Sequence, residues 1–272
     1  MSTADVRRAA VLGSPIGHSR SPDLHLAAYR ALGLTDWTYE RIECTAEQLP
    51  AVVSGAGPEW VGFSVTMPGK FAALESASSR TERAGLIGAA NTLVRADDGW
   101  HADNTDVDGV SGALRGAGID PAGHTAVIVG AGGTARPAIV ALAAMGVRSL
   151  TVVARDAARA QGALDLAERV GVPASVTGFD DAALSSVCAS SGVLVSTVPA
   201  EAATPYSDSL GAAPAILDVI YHPWPTELAA AAQRRGAAVV GGLEMLLNQA
   251  FTQVELFTGQ RAPRAAMAAA LR

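Results

Sequence analysis

The residue that most strongly suggests chemistry is Lys70, the only lysine among the chain's 20 basic residues. Abundant arginine and alanine indicate a coding bias that turns lysine into arginine wherever the two are interchangeable. A lysine kept under such a bias points to a position that needs an amine able to lose its proton, which a guanidinium cannot do. Thr66 lies in the same turn, after an apolar stretch. We therefore predict an acid–base role for Lys70; the alternative is that a single lysine survived the bias by chance.

Four further sets of polar residues lie at expected strand ends or turns. Ser19 and Ser21 follow the first apolar strand, and in an extended segment both hydroxyls would point the same way. Such a pair could bind a carboxylate; the alternative is that Ser21 caps a helix whose first residue is proline. The other sets are Asn91, the acidic turn DNTD at residues 103–106, and Gln249 on the last long helix. Each set alone is more typical of a turn or a solvated surface.

A glycine-rich turn fits the phosphate-binding pattern G-x-G-x-x-A, directly after the apolar strand TAVIV and at the start of an alanine-rich helix. The first glycine permits the tight turn, the second lets a pyrophosphate approach, and the small last residue lets helix meet strand. Free amides at the helix N-terminus would hold the phosphates. This setting predicts a dinucleotide site rather than a structural turn, formed by Gly130, Ala131, Gly132, Gly133, Thr134 and Ala135.

The next strand ends at Ala154, Arg155 and Asp156, where proteins with this motif distinguish cofactors. Arg155, with Arg159 four residues further on, suits the 2′-phosphate of NADP. Asp156 could instead accept a hydrogen bond from the free 2′-hydroxyl of NAD, or cap the following helix with its carboxylate. An arginine–aspartate pair without any ligand role is also common on surfaces. We expect NADP.

The order of apolar runs predicts an α/β protein with two α/β domains. The first part holds short strands and one helix, expected at 9–13, 37–42 and 60–65 and at 23–32. The second part alternates strands with helices, expected at 125–129, 149–154, 193–197 and 215–220 and at 134–145 and 156–170. This alternation predicts a parallel sheet covered on both faces. The final helix, 243–257, is expected to pack on the first domain.

Composition excludes several classes of protein. With a net charge of -6 and no basic cluster, the chain is not expected to bind nucleic acid. Its two cysteines, Cys44 and Cys188, are too far apart for a zinc site and are expected to be reduced, packed thiols; no metal is expected. Met1 to Val6 lacks an apolar signal region and no stretch reaches membrane-spanning length, so we expect a cytoplasmic protein.

Taken together, these motifs resemble the shikimate dehydrogenase family over essentially the whole chain. The matching stretches keep the family's order and spacing: GSPIGHSRSP (13–22), SVTMPGK (64–70), GAANTL (88–93), DNTD (103–106), GAGGTAR (130–136), AR (154–155) and GLEMLLNQA (242–250). The resemblance implies an N-terminal substrate-binding and catalytic domain with an open twisted sheet, and a Rossmann-type NADP-binding domain. We place the former at 1–107, completed by the C-terminal helices at 241–272, and the latter at 108–240.

The resemblance also implies a reaction, the reversible NADPH-dependent reduction of 3-dehydroshikimate to shikimate in aromatic amino-acid biosynthesis. The catalytic pair would be Lys70 and Asp106. Ser19 and Ser21 would hold the substrate carboxylate, and the ring hydroxyls would be held by Thr66, Asn91 and Gln249. Tyr221 would lie near the substrate, and Gly242 near the nicotinamide. The expected partner is a small-molecule substrate, with neither nucleic acid nor membrane, in a monomer or homodimer.

The chain departs from the family pattern in three places. Ser64 stands where asparagine is usual, and Gly69 stands where an aromatic residue or histidine often precedes the lysine; we expect little effect on the chemistry. Ala154 and Asp156 flank Arg155 where asparagine and threonine are common, which bears on cofactor preference. One alternative function is an NAD-dependent quinate/shikimate dehydrogenase, favoured by Asp156. Another is a non-catalytic shikimate-binding relative, disfavoured because both members of the catalytic pair are present.

Overall fold

The computed structural model describes residues 6–272. The chain divides into two compact units, the first formed by residues up to Thr105 together with Gln249–Arg272, the second by Asp106–Asn248. The chain returns from the second unit to the first between Asn248 and Gln249, inside the helix Gly242–Thr258. From the sequence, this boundary was expected before that helix, after residue 240. Two expectations concern residues 1–5, which lie outside the described residues. They are the start of the first domain at residue 1 and the lack of an apolar signal region from Met1 to Val6.

The first unit is built on a mixed six-stranded sheet of order β2-β1-β3-β5-β6-β4. Its strands are β1 Arg7–Gly13, β2 Trp37–Glu43, β3 Trp60–Val65, β4 Ser79–Arg80, β5 Thr92–Ala96 and β6 Gly99–Asp103. Its helices are α1 Ser21–Ala31, α2 Leu49–Ser54, α3 Lys70–Glu75, α4 Glu82–Ile87 and α13 Arg264–Ala269, with the C-terminal part of α12 Gly242–Thr258. β1 pairs in parallel with β2 and β3, whereas β5 is antiparallel to both β3 and β6.

The centre of this sheet brings the polar segments of the first unit together. β1 consists of buried apolar residues from Ala9 to Leu12, so it lies between two neighbours and packs on both faces. β1 and β3 are parallel, so the segments that follow them leave the sheet at the same edge. The Ser14 amide donates to the Met67 carbonyl at 3.0 Å, and the Thr66 amide donates to the Leu12 carbonyl at 2.9 Å. Residues 14–21, which carry the two serines and are called the serine segment below, are therefore neighbours of the Thr66–Lys70 turn.

The second unit contains a fully parallel six-stranded sheet of order β12-β11-β10-β7-β8-β9. Its strands are β7 Thr125–Val129, β8 Ser149–Val153, β9 Ala174–Thr177, β10 Val193–Ser196, β11 Ala215–Asp218 and β12 Ala238–Gly241. Its helices are α5 Asp106–Gly116, α6 Ala135–Ala144, α7 Ala157–Arg169, α8 Leu184–Ala189, α9 Ala200–Ala203, α10 Ser207–Leu210 and α11 Glu227–Arg234, plus a 3-10 turn at Thr204–Tyr206. This strand order is that of a Rossmann fold, with β7 first in its numbering.

Both cysteines are buried free thiols, as the sequence indicated. Cys44 packs in a core of the first unit with Leu12, Phe63 and Trp100. Cys188 packs in a core of the second unit, and burial raises its pKa to about 11. Such a thiol stays protonated and unreactive at neutral pH. Within the described part of the chain, no helix is both long and apolar enough to cross a membrane.

Candidate functional site

The glycine turn of the second unit leaves space where phosphates would approach. Gly130 has a φ of +104°, and a Cβ there would lie 2.7 Å from Thr197 Oγ1, so only glycine fits this position. At Gly132 a Cβ would meet no atom within 4 Å, which leaves open space in front of the backbone. Ala135 is fully buried and begins α6, so its small side chain suits the close approach of helix and strand. The turn fits a pyrophosphate.

A cavity of about 300 Å³ extends from this turn to the end of β8. Its wall brings together most of the cofactor residues expected from the sequence: Gly130, Ala131, Gly132, Ala154, Arg155 and Arg159. Phe179 and Tyr206, whose rings are 4.8 Å apart, and Pro199 add apolar surface that the sequence did not single out. One end of the cavity is lined by backbone and the other by two arginines, which is the distribution that a phosphorylated dinucleotide requires.

Asp156 lies beside the arginines, but its carboxylate is engaged by the backbone. It is the N-cap residue of α7, and its Oδ1 accepts a hydrogen bond from the Ala158 amide at 2.8 Å. The sequence left open whether Asp156 would cap this helix or bind a ribose, and the structure shows the cap. Arg155 and Arg159 are both exposed at the cavity rim. The arrangement favours a 2′-phosphate over a free 2′-hydroxyl.

Tyr221 and Gly242 line a second cavity in this unit, of about 600 Å³, together with Trp224, Leu243 and Glu244. A Cβ at Gly242 would lie 2.1 Å from the Val219 carbonyl oxygen, so glycine is required here by backbone packing alone. The expected position of Gly242 beside a nicotinamide thus stays a prediction. This cavity is larger than the one at the glycine turn, but it contains no phosphate-binding turn.

The serine segment of the first unit differs from its expected conformation. Arg20 has φ -93° and ψ 3°, so the segment from Ser19 to Ser21 is turned rather than extended. α1 begins at Ser21 and its N-cap residue is Arg20, so the alternative role of Ser21 as a cap is wrong as well. Within this turn Ser19 Oγ accepts the Ser21 amide at 3.3 Å, and the Ser19 amide donates to the Ile16 carbonyl at 3.0 Å. Both serines are buried.

The Thr66–Lys70 turn holds its lysine at the start of a helix. The Gly69 amide donates to the Thr66 carbonyl at 2.9 Å, and Lys70 is the first residue of α3. The Lys70 carbonyl accepts the Ala90 amide at 2.9 Å, and this bond places the turn beside Asn91. The backbone of the only lysine is therefore fixed next to the amide expected to bind substrate.

Asn91 is the centre of a buried cluster of amides and hydroxyls. Its Nδ2 donates to Gln249 Oε1 at 2.9 Å and to Thr105 Oγ1 at 3.0 Å, and its Oδ1 accepts the Thr105 amide at 2.8 Å. Thr92 Oγ1 also donates to Asn91 Oδ1, at 2.8 Å. These bonds hold both amide groups in a single orientation, which is what selective hydrogen bonding of a polyhydroxylated ligand needs. The structure brings Asn91 and Gln249 together as expected.

A second part of the network was missed from the sequence. The Tyr39 hydroxyl donates to Ser64 Oγ at 2.7 Å, and Ser64 Oγ donates to Gln253 Oε1 at 2.9 Å. Gln253 Nε2 donates to Thr92 Oγ1 at 2.9 Å. Gln253 lies one turn after Gln249 on the same face of α12, a spacing that could have indicated it. Ser64, treated as a minor departure from the family pattern, is thus a buried link in this network.

His25 packs against the same network. Its ring stacks on Tyr39 with centroids 4.0 Å apart, and its Nε2 lies 3.4 Å from Gln253 Oε1. Burial lowers the pKa of His25 from 6.5 to about 3, although the hydrogen bond to Gln253 acts in the opposite direction. The imidazole is therefore neutral at physiological pH.

The acidic turn at residues 103–106 contains two carboxylates. Asp103 has a structural role, and the catalytic role of Asp106 stays a prediction. Burial acts to raise the pKa of Asp103, but hydrogen bonds and charge from Arg83, with help from Thr81, hold it below its usual value. Arg83 Nη2 lies 2.6 Å from Asp103 Oδ2. Asp106, which is buried, begins α5 in the second unit, so its expected pairing with Lys70 stays a prediction. Among residues 6–272, no three His, Cys, Asp or Glu side chains are grouped to hold a metal ion.

A Rossmann unit with an open phosphate turn, and an α/β unit with a buried amide–hydroxyl cluster beside one lysine, define a dinucleotide-dependent dehydrogenase of two domains. Family models agree: the shikimate dehydrogenase substrate binding domain matches residues 11–93, and the shikimate 5′-dehydrogenase C-terminal domain matches residues 242–272. The shikimate dehydrogenase (NADP(+)) of Methylobacterium radiotolerans is 40% identical over 268 residues, covering 93% of this chain and 92% of the relative. The chain belongs to the shikimate dehydrogenase family.

Solved structures extend the comparison to three dimensions. The crystal structure of Mycobacterium tuberculosis shikimate dehydrogenase has a TM-score of 0.92 and 60% identity, covering 97% of this chain and 98% of that one. Thermus thermophilus shikimate 5-dehydrogenase in complex with NADP(H) and shikimate has a TM-score of 0.82 and 30% identity, covering 97% and 98%. Quinate dehydrogenase from Corynebacterium glutamicum in complex with NAD has a TM-score of 0.83 and 27% identity, with the same coverage.

Proposed function

We propose that this protein is an NADP-dependent shikimate dehydrogenase, which reversibly reduces 3-dehydroshikimate to shikimate in aromatic amino-acid biosynthesis. The observation that carries the proposal is the position of Lys70, whose backbone is bound to the loop of Asn91, while Asn91 is bound to Gln249. A lysine whose backbone lies next to two oriented amides suits a substrate with a ketone and neighbouring hydroxyls.

The roles of the individual residues are those that the family resemblance implies. Ser19 and Ser21 bind the substrate carboxylate, and Thr66, Asn91 and Gln249 bind the ring hydroxyls, with Tyr221 near the substrate. Binding at the carboxylate, away from the reacting carbon, orients the ring.

Bound NADPH supplies a hydride to the carbonyl carbon. The Lys70 ammonium polarises the carbonyl oxygen and donates the proton that balances the new alkoxide, with Asp106 as its expected partner. In the reverse direction Lys70 accepts the hydroxyl proton. Because a pH–rate profile of two coupled groups reports pKa values of the pair, the formal acid and base are assigned by comparing the profiles of Lys70 and Asp106 variants.

The turn Gly130–Ala135 of the second unit would hold the cofactor, Arg155 and Arg159 would bind its 2′-phosphate, and Gly242 would lie near its nicotinamide. Support comes from the open backbone at Gly132 and from the N-cap bond of Asp156, which uses the only acidic side chain in the cavity wall. That wall is the part of the described chain in which NADP and NAD would be distinguished.

The second candidate is an NAD-dependent quinate/shikimate dehydrogenase. Asp156 favours it because one Asp156 oxygen could bind a ribose hydroxyl while the other caps α7. The structural similarity to a quinate dehydrogenase in complex with NAD supports this second candidate.

We expect the protein to be cytoplasmic, and a monomer or a homodimer.

The deciding experiment measures reduced cofactor at 340 nm with shikimate or quinate against NADP and NAD, using the purified protein. We expect the highest specificity constant for shikimate with NADP. A higher constant for quinate with NAD would establish the second candidate. Binding of shikimate without turnover of any of the four combinations would identify a non-catalytic relative.

A further inference from the structure

Three alternate residues of β2 contact the segment that carries the two serines. Because side chains alternate along a strand, Tyr39, Arg41 and Glu43 lie on one face. Tyr39 hydrogen-bonds Ser21 as well as Ser64. Arg41 donates from Nε and Nη2 to the Ser19 carbonyl, at 2.8 Å and 2.5 Å.

Glu43 completes this row at the beginning of the segment. It accepts the Ser14 hydroxyl at 2.6 Å and the Ile16 amide at 3.1 Å. The segment between β1 and α1 has no regular structure, so these side-chain bonds fix its backbone in place of a ladder or helix. β2 therefore supports the serine segment at three points along its length.

The charged side chains in and beside this row differ in whether a partner offsets their charge. Glu43 is engaged by two donors of the segment, and the neighbouring Arg20 forms an ion pair with Asp23. Arg41, in contrast, has no carboxylate partner among the described residues, and its two bonds go to a neutral carbonyl. Its positive charge is therefore not offset by an ion pair, at the backbone of the serine expected to bind a carboxylate.

The reach of this charge is visible at Tyr39. Burial raises the pKa of Tyr39, and hydrogen bonds with Ser64 and Ser21 oppose that rise, with a smaller contribution from the Arg41 charge. The same Tyr39 hydroxyl is bound to Ser21, so Arg41 acts on the surroundings of both serines. Two neutral hydroxyls alone would bind a neutral or an anionic group; a nearby cation favours the anionic one.

We propose that Arg41 is a positioning residue that selects for substrates bearing a carboxylate, by fixing the Ser19 backbone and by placing a positive charge beside Ser19 and Ser21. This inference rests on the proposed function, because it assumes that the serines receive the carboxylate of shikimate. It differs from that function in naming a residue behind the site, on a neighbouring strand, as the source of selectivity.

The test compares Arg41→Met with the wild-type protein on shikimate and on shikimate methyl ester. Because Arg41 is exposed and solvent screens its charge, we expect the KM for shikimate to rise about two- to fivefold, while kcat changes little. The KM for the neutral ester should rise much less. Arg41→Lys, which keeps the charge but loses the two-point bond, should lie between. Arg30→Met removes an exposed cation from α1 and should behave as wild type.

The outcomes separate this inference from the proposed function. Absence of shikimate turnover and binding in the wild-type protein would remove the function itself. With turnover present, an unchanged KM in Arg41→Met would overturn the inference. An equal rise in KM for shikimate and its ester would also overturn it, since it would show general collapse of the segment. If Arg41→Met does not fold, Arg41→Lys decides: wild-type KM values for shikimate would refute a role for the two-point bond.

Discussion

Replacing Asp156 by serine separates its charge from its role as a helix cap. Serine is as good an N-cap residue as aspartate, so Asp156→Ser should retain the bond to the Ala158 amide that aspartate now accepts. Asp156→Ala should lose that bond and about 1 kcal/mol of unfolding free energy. Both substitutions remove the negative charge from the wall of the cofactor cavity. An effect common to both variants therefore belongs to the charge.

The size of that effect is set by the exposure of the groups. Asp156, Arg155 and Arg159 are all exposed, so solvent weakens each charge interaction to roughly 0.5–1 kcal/mol. Removing the repulsion between Asp156 and a 2′-phosphate should raise the preference for NADP over NAD about two- to fivefold, since 1.4 kcal/mol corresponds to tenfold. Raised salt should reduce this gain through screening.

The assay is the ratio of specificity constants for NADP and NAD with shikimate saturating, together with the binding of 2′,5′-ADP and 5′-AMP. Asp165→Ser serves as the matched control, because Asp165 lies on the same helix outside the wall of the cofactor cavity, where it hydrogen-bonds Gln161 and acts by charge on Arg136. A similar gain in this control would show a general effect of net charge. A loss of NADP preference in Asp156→Ser would refute the reasoning, because it would mean that the carboxylate helps the phosphate site.

Three further predictions concern chemistry, cofactor and stability. Lys70→Met should lower kcat about 10²- to 10⁴-fold with a far smaller change in shikimate binding; a variant that keeps a tenth of the wild-type kcat would remove Lys70 from proton transfer. Arg155→Ala should weaken 2′,5′-ADP binding more than 5′-AMP binding in calorimetry, because only the former carries the extra phosphate; equal losses would contradict a phosphate role. His25 should destabilise the fold in acid: the unfolded imidazole takes up a proton below about pH 6.5, whereas the folded pKa is about 3, so stability falls as pH falls between these values. From pH 6.5 to pH 5.0 this group should cost about 2 kcal/mol of unfolding free energy, and denaturation curves of His25→Phe should show a correspondingly shallower fall.

The Rossmann unit is the part most fully predicted from the sequence. Continuous apolar runs such as TAVIV are typical of buried parallel strands, and the glycine turn after β7 marks which strand is first. The β5–β6 hairpin of the first unit was not predicted. Its turn signal, Asp98 before Gly99 with a φ of +132°, lies between short strands that are only partly apolar.

Polar residues of the candidate site were identified from the sequence only where they belong to a recognisable motif. Asn91 and Gln249 were found through the stretches around them, and the structure joins them directly. Tyr39, Ser64 and Gln253 come from segments far apart in the chain. From sequence alone a tyrosine in a strand is expected to be a packing residue, because the buried partner of its hydroxyl is not known. The turned conformation at Ser19 was missed for a similar reason, since it involves a hydroxyl-to-amide bond with Ser21 and bonds from Arg41 on another strand.

The division of the first unit between two separate stretches of chain has a consequence for its synthesis. Gln253, which binds Ser64 and Thr92, and Phe257, whose ring centroid lies 5.6 Å from that of His25, are translated only after the whole second unit. Domains normally fold in the order in which they emerge. Here the unit that is translated first must wait with its buried hydroxyls unpaired until the whole Rossmann unit has been made. A chain released just after Asn248 would therefore hold a finished nucleotide-binding unit attached to an unfinished substrate unit.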